Sequence, residues 1–170
     1  MKRIFVLLCI LMLAGGCIFD GDDDKDKKDE TKSVDQLEQE IFALVNKYRV
    51  ENGMQALAWN DTLAATVRSH CRSAAAGETN FNEGTNDRRT SMKEILHLSR
   101  YDEAKFSIAD SGGDIVRITS DYFSTALDAI QHQTYPPGPD PETYTLTGVG
   151  AAKSEDGSWY YFIQAFAIAE

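Results

Sequence analysis

The residues able to do chemistry in this chain are few. Its 170 residues include three histidines and three cysteines. His70 and Cys71 stand side by side, which invites a thiolate nucleophile served by an imidazole base. The flanking pattern puts both on one helix, where adjacent side chains diverge by about 100°. They are therefore poorly placed to share a proton, and a buried free thiol is the expectation for Cys71. His70 falls beside the apolar face between Val67 and Ala74 and reads as structural. His97 reads as solvated or capping. No Gly-x-Ser-x-Gly elbow supports a Ser-His-Asp system. No glycine loop suited to a phosphate is present either, and Gly112-Gly113 reads as a turn.

The N-terminus carries an address. Lys2 and Arg3 precede an apolar run from Ile4 to Ala14, and Ala14-Gly15-Gly16 leads directly into Cys17. This is a secretory signal with a small-residue cleavage region. Its uncharged span of sixteen residues, Ile4 to Phe19, falls short of a membrane-crossing helix. A cysteine directly after small residues resembles a bacterial lipobox, here Leu13-Ala14-Gly15-Gly16-Cys17, with Ala14 where leucine is the common choice. Residues 1–16 are thus expected to be a lipoprotein signal, with Cys17 acylated and anchoring the chain in a membrane.

Residues 17–32 continue as GDDDKDKKDETK after Asp20, nearly all charged and without an aromatic. Such a stretch cannot bury enough apolar surface to order itself and suits a solvated tether. The formal net charge is −10, and loss of Lys2 and Arg3 with the signal takes it to −12. That argues against nucleic acid as a partner and against adhesion to anionic headgroups. With Cys9 removed and Cys17 acylated, Cys71 is left alone. The folded part, 33–170, must then be held by its core rather than by a disulfide.

Two amphipathic helices open that part. Ser33-x-x-Gln36 is a capping box, and Val34, Leu37, Ile41, Leu44, Val45 and Tyr48 share a helical face that closes at Asn52-Gly53. Met54 to Trp59 should lie against the core. Asn60 caps a second helix with Leu63, Val67 and Ala74 inward, ended by Gly77. A polar loop from Glu78 to Arg89 follows, pinned by Phe81. Ser91-x-x-Glu94 reads as a second capping box for a short helix reaching Ser99, with Ile95 and Leu98 inward. Tyr101 to Gly113 reads as irregular, Ile115 to Ile118 as a short strand, and a helix from Thr119 or Ser120 places Phe123, Leu127 and Ile130 on one face.

The prolines of Tyr135–Pro141 forbid regular structure. Two strands close the chain, Thr145–Lys153 and Ser158–Ala169, joined by the hairpin signal Asp156-Gly157. The last has apolar residues on both faces, so it should be central, with helices on each side. Trp59, Trp159, Tyr160, Tyr161 and Phe162 read as core. The pattern predicts an α+β fold, a three-layer α-β-α sandwich around a mainly antiparallel sheet.

Three segments resemble one family in the right order: LVNKYRVENGMQALAWNDTLAATVRSHC, GGDIVRITSDYFSTALDAI and TGVGAAKSEDGSWYYFIQAFA. They are similar to the CAP superfamily (cysteine-rich secretory proteins, antigen 5 and pathogenesis-related proteins; the SCP-like domain) in its short bacterial form. The matching signatures are Asn46-x-x-Arg49, Leu57-x-Trp59 leading into the second helix, and Gly148-Val149-Gly150 before an aromatic strand.

The resemblance implies a cavity with two histidines and two acidic residues that in some members holds a divalent metal. Residue by residue, this chain departs from it. Glu83 follows Phe81-Asn82 where the first histidine belongs, and Gly113 stands where a glutamate belongs. Ile130 replaces a tryptophan, and Pro136 lies in the stretch expected to hold the second histidine. His132, at the end of the helix that faces the family cavity, could join Glu83 and Asp114 as replacement nitrogen and oxygen ligands. The leading expectation is a cell-envelope lipoprotein that binds a lipid, an envelope component or a protein without catalysis and without a cofactor. The alternatives are a metal-dependent enzyme or hydrolase using those three residues, and a purely structural envelope protein.

Overall fold

A computed structural model describes residues 32–132 and 144–170, apart from the side chains of 129–132. Cys17, nearly all of the tether and Pro136 lie outside the described residues. The elements run α1 (Val34–Glu51), β1 (Ala58–Trp59), α2 (Asp61–Ala75), α3 (Thr85–Leu96), β2 (Leu98–Ala109), α4 (Ile115–His132), β3 (Leu146–Lys153) and β4 (Trp159–Ala169).

The capping box at the start of α1 forms as expected. Gln36 N donates to Ser33 Oγ, and Ser33 N donates to Gln36 Oε1 at 2.8 Å. Leu37, Ile41 and Val45 are buried, whereas Leu44 is exposed. Two charged residues, Glu38 and Arg49, are fully buried beside the apolar ones. The Asn46-x-x-Arg49 signature has a structural purpose: it shapes the turn after the helix. Asn46 exchanges two hydrogen bonds with the backbone of Leu57, at 2.9 and 2.8 Å. Arg49 Nε donates to Gln55 O at 2.8 Å. Leu57 is thereby buried, and Ala58–Trp59 is delivered as a short strand parallel to β3.

The sheet order is β1-β3-β4-β2, antiparallel except for the β1–β3 pair. Alternation along β4 divides the core in two. Tyr160, Phe162 and Phe166 face α1 and α4, while Ile163, Ala165 and Ala167 face α2 and α3. This is the expected three-layer α+β sandwich. Gly148 and Gly150 lie on the α2 side, and they explain the Gly-Val-Gly signature. A Cβ at Gly148 would stand 2.7 Å from Leu63 C and one at Gly150 2.6 Å from Arg68 Cα, closer still to the amide nitrogens of Ala64 and Arg68. Helix α2 therefore seats directly on strand backbone.

An ion pair ties the two helical layers together around the edge of β3. β1 covers that edge only opposite Leu146 and Thr147. Beyond it, the buried Glu38 carboxylate accepts from Ala151 N at 2.9 Å and is forked by Arg68, whose Nε lies 2.8 Å from Oε1 and whose Nη2 contacts Oε2.

The structure corrects the middle of the chain. α3 starts at Thr85, not at Ser91, from Gly84 in the left-handed region (φ 72°) with no side-chain cap. Ser91 sits inside the helix, Met92 is its buried residue and Ile95 is 59% exposed. Leu98 is buried, but as the first residue of a strand. Residues Tyr101–Ala109, expected to be irregular, belong to the twelve-residue β2, paired along its length with β4. Ile115–Ile118 is the first turn of α4, because Asp114 Oδ1 accepts from Arg117 N at 3.1 Å and nucleates a helix despite the β-branched run. Trp159, expected in the core, is 45% exposed at the start of β4, and Trp59 and Tyr161 are half-buried.

Candidate functional site

The face of β2 turned toward α2 and α3 carries Tyr101, Glu103 and Lys105 at alternate positions. Glu103 has a fully buried side chain. Burial alone would raise its pKa, but the group is held below the ordinary carboxylate range by a stronger opposing set. Arg88, from α3, forks it with Nε at 2.7 Å and Nη2 at 2.8 Å. Tyr101 Oη donates to it at 2.6 Å, and Lys105 Nζ lies 3.8 Å away. Burial first, and then the neighbouring carboxylate, push the Tyr101 hydroxyl well above its usual range, so it stays a donor.

This cluster also holds the loop between α2 and α3. Lys105 Nζ donates to Asn82 O at 3.2 Å and to Phe81 O at 3.4 Å, and Arg88 Nη2 reaches Glu83 O at 3.3 Å. From α2, His70 Nε2 meets Phe81 O at 3.0 Å. A carbonyl can only accept, so Nε2 carries the proton and Nδ1 is the ring's acceptor. Burial lowers the His70 pKa, and the charges of Arg88 and Lys105 act in the same direction against the Phe81 hydrogen bond. The ring is thus kept neutral at ordinary pH.

Above the cluster lies an open groove of about 600 Å³, within the range of small-molecule sites. Thr66, Ser69 and Ser73 line it from α2, together with His70, Thr79 from the loop and Arg88 from α3. The Thr66 hydroxyl is engaged with Thr62 O at 2.8 Å. Those of Ser69, Ser73 and Thr79 make no hydrogen bond among the described residues. The arrangement offers hydroxyls, one imidazole acceptor and a guanidinium. The carboxylate beneath, Glu103, is fully buried and engaged by three hydrogen bonds.

The residues singled out from the sequence fare differently. Cys71 is fully buried, its Sγ 3.4 Å from Gly150 O, and burial raises the thiol far above its usual range. It is a packing residue, and its divergence from His70 is as expected. His97 is exposed and ends α3 in the left-handed conformation, φ 50°, a capping role. Glu83 is exposed and its carboxylate accepts from Asn80 Nδ2 at 3.3 Å, in the layer of α2 and α3. Asp114 caps α4 in the opposite layer, across the sheet, so the structure does not bring these two together. Gly113 lies in the exposed turn just before it. The side chain of His132 is outside the described residues. Among the described residues no three His, Cys, Asp or Glu side chains are grouped to hold a metal ion.

Glu103, Arg88 and Lys105 were missed from the sequence. The available signal was the alternation of Ala104, Phe106 and Ile108 with charged residues, a half-buried strand pattern. The charges disguised it, because burying them depends on the partner from α3.

The cysteine-rich secretory protein (CAP) family matches residues 42–138, more than half of the chain. No curated protein is significantly similar in sequence. Among solved structures, venom allergen-like protein 4 of Schistosoma mansoni is similar with a TM-score of 0.53 at 11% identity, over 79% of this chain and 90% of that one. An extracellular SCP-domain protein of Bacillus anthracis has a TM-score of 0.52 at 17% identity, over 79% of this chain and 42% of that chain. This chain thus spans less than half of the Bacillus protein. Identities this low speak to fold alone, but the family match spans the Asn46-x-x-Arg49 and Leu57-x-Trp59 signatures described above. The chain belongs to the CAP family.

Proposed function

We propose that this chain is a lipid-anchored module of the cell envelope that acts by binding, with the groove between α2 and α3 as its ligand site. The observation that carries the reading is a set of hydroxyls, Ser69, Ser73 and Thr79, that make no hydrogen bond among the described residues and stand above a neutralised carboxylate. Such groups hold and orient a polar ligand. Glu103 is fully buried and held below the ordinary carboxylate range by Arg88 and Tyr101, which makes it a poor base toward such a ligand. A lipid tail fits less well, since Ala65 alone of the seven lining residues lacks a polar side chain.

Anchoring rests on Cys17 and its preceding small residues. No helix among the described residues is long and apolar enough to cross a membrane. The charged stretch after Cys17 would hold the domain clear of the surface.

Two measurements test the reading. Cys17→Ser should release the protein from membranes and abolish fatty-acid labelling. Ser69→Trp fills the groove from an exposed helix position and should abolish retention of the protein on isolated envelope polymer while leaving its unfolding transition unchanged. Undiminished retention would remove the groove from consideration.

A further inference from the structure

The charge beneath the groove is unbalanced. Glu103 supplies one negative charge, Arg88 and Lys105 supply two positive ones, and their side chains are only 11% and 15% exposed. Tyr101 and His70 are neutral. A chain with a formal net charge of −10 thus keeps an excess cation under a groove that presents free hydroxyls. Sequestering a cation without a full counter-charge is unfavourable. Arg88 and Glu103 already make a complete ion pair; Lys105 holds the loop through the neutral carbonyls of Phe81 and Asn82, which leave its charge unbalanced. Arg88 is also not exhausted. Its Nε and Nη2 serve Glu103, Glu83 O and Thr85 Oγ1, while Nη1 makes no hydrogen bond among the described residues.

We infer that the groove takes an anionic saccharide, its carboxylate or phosphate attracted by the excess charge of Arg88 and Lys105 and its hydroxyls met by Ser69, Ser73, Thr79 and His70. This rests on the binding reading above and adds the ligand's chemical class. Sugar hydroxyls both donate and accept. The three protein hydroxyls can do either, and His70 Nδ1 accepts because Nε2–H is committed to Phe81 O. The guanidinium suits carboxylate and phosphate alike, so the two sources share one recognition chemistry.

The test uses the full chain carrying Cys17→Ser, with affinity measured by calorimetry. The probes are digalacturonate and N-acetylglucosamine 1-phosphate, each beside its neutral counterpart, galactobiose and N-acetylglucosamine. At least one charged probe should bind about tenfold more tightly than its neutral partner, the effect falling with salt. Whether the uronate or the phosphate arm responds identifies the source. Two variants that alter the charge in opposite senses keep the inference falsifiable. Lys105→Gln removes the excess cation and should weaken the charged probe about tenfold. Glu103→Gln preserves the side-chain shape, frees Arg88 and should tighten it. Equal binding of charged and neutral probes, or both variants shifting affinity the same way, overturns the anionic assignment. So does the absence of binding by either charged probe when Ser69→Trp still abolishes envelope retention. Retention that survives Ser69→Trp instead removes the groove reading on which the inference stands.

Discussion

Replacing Glu38 by alanine should unfold this domain far more readily than a single surface change would. Glu38 is fully buried on α1 and does two things at once. It accepts the amide of Ala151, on the edge of β3 beyond the reach of β1, at 2.9 Å, and it pairs with Arg68 of α2 through both carboxylate oxygens. Glu38→Ala strands the Ala151 amide, a loss of about 1–3 kcal/mol for a buried donor. It also strips Arg68 of its partner. Breaking a buried pair from one side costs about 3–5 kcal/mol, but the Arg68 side chain is 25% exposed and can partly rehydrate. The total expected is about 3 kcal/mol, equivalent to a fall in Tm of roughly 10 °C for a domain of this size. Glu38→Gln keeps an oxygen for Ala151 and the side-chain volume, so its cost should be about 1–2 kcal/mol. Urea unfolding followed by circular dichroism, with linear extrapolation, measures both. Equal costs for the two variants, or a cost for Glu38→Ala below about 1 kcal/mol, would refute the idea that a buried carboxylate joins the layers at the sheet edge.

Three further outcomes follow from the packing and the protonation states. Gly150→Ala puts a methyl group onto the backbone of Val67 and Arg68, and since backbone cannot yield like a side chain, the cost should exceed about 3 kcal/mol or prevent folding; a Tm within two degrees of the parent's would contradict it. His70 has a lowered folded-state pKa, so the unfolded chain binds the extra proton first. Its contribution to stability is complete above the unfolded value of about 6.5 and declines as pH falls from there through the folded pKa. Urea midpoints between pH 7.5 and 5 should therefore drop, and His70→Gln, which keeps a donor for Phe81 O, should flatten that drop. Cys71, in a chain with Cys9→Ser and Cys17→Ser, should react with a thiol reagent only as fast as the native state opens; rapid labelling would mean that the thiol is not in the position seen between α2 and β3.

Legibility in the sequence followed the range of the interactions involved. The ends of the chain were readable because their signals are local. Ser33 and Gln36 cap α1 within one turn, Asn60 Oδ1 accepts from Leu63 N at 3.0 Å, and Asp156-Gly157 turns the β3–β4 hairpin. The family signatures were readable for the same reason, although their purposes were not. Asn46-x-x-Arg49 shows its meaning only when Leu57 and Gln55 are seen folded back against it. The middle failed where local and tertiary preferences conflict. Ser91-x-x-Glu94 has the composition of a capping box but sits inside α3, whose start is decided by Gly84 and the loop ahead of it. Tyr101–Ala109 reads as irregular, yet it is a strand, because its charged residues are buried against partners supplied by α3 and by the loop ahead of it.

By itself the sequence determined the acidic balance, the α+β class and the family, and it supplies the motif at Cys17 on which the proposal of anchoring rests. Each of these is carried by composition or by residues within a turn or two of one another. Only the tertiary structure decided what stands at the site. Arg88 and Glu103 are fifteen positions apart and belong to different elements. Arg88, Glu103, Lys105, Tyr101 and His70 become one cluster because β2 pairs with β4 and brings its charged face under α2 and α3. A buried charge is tolerable only beside its partner, and no local pattern in the chain announces where that partner will be.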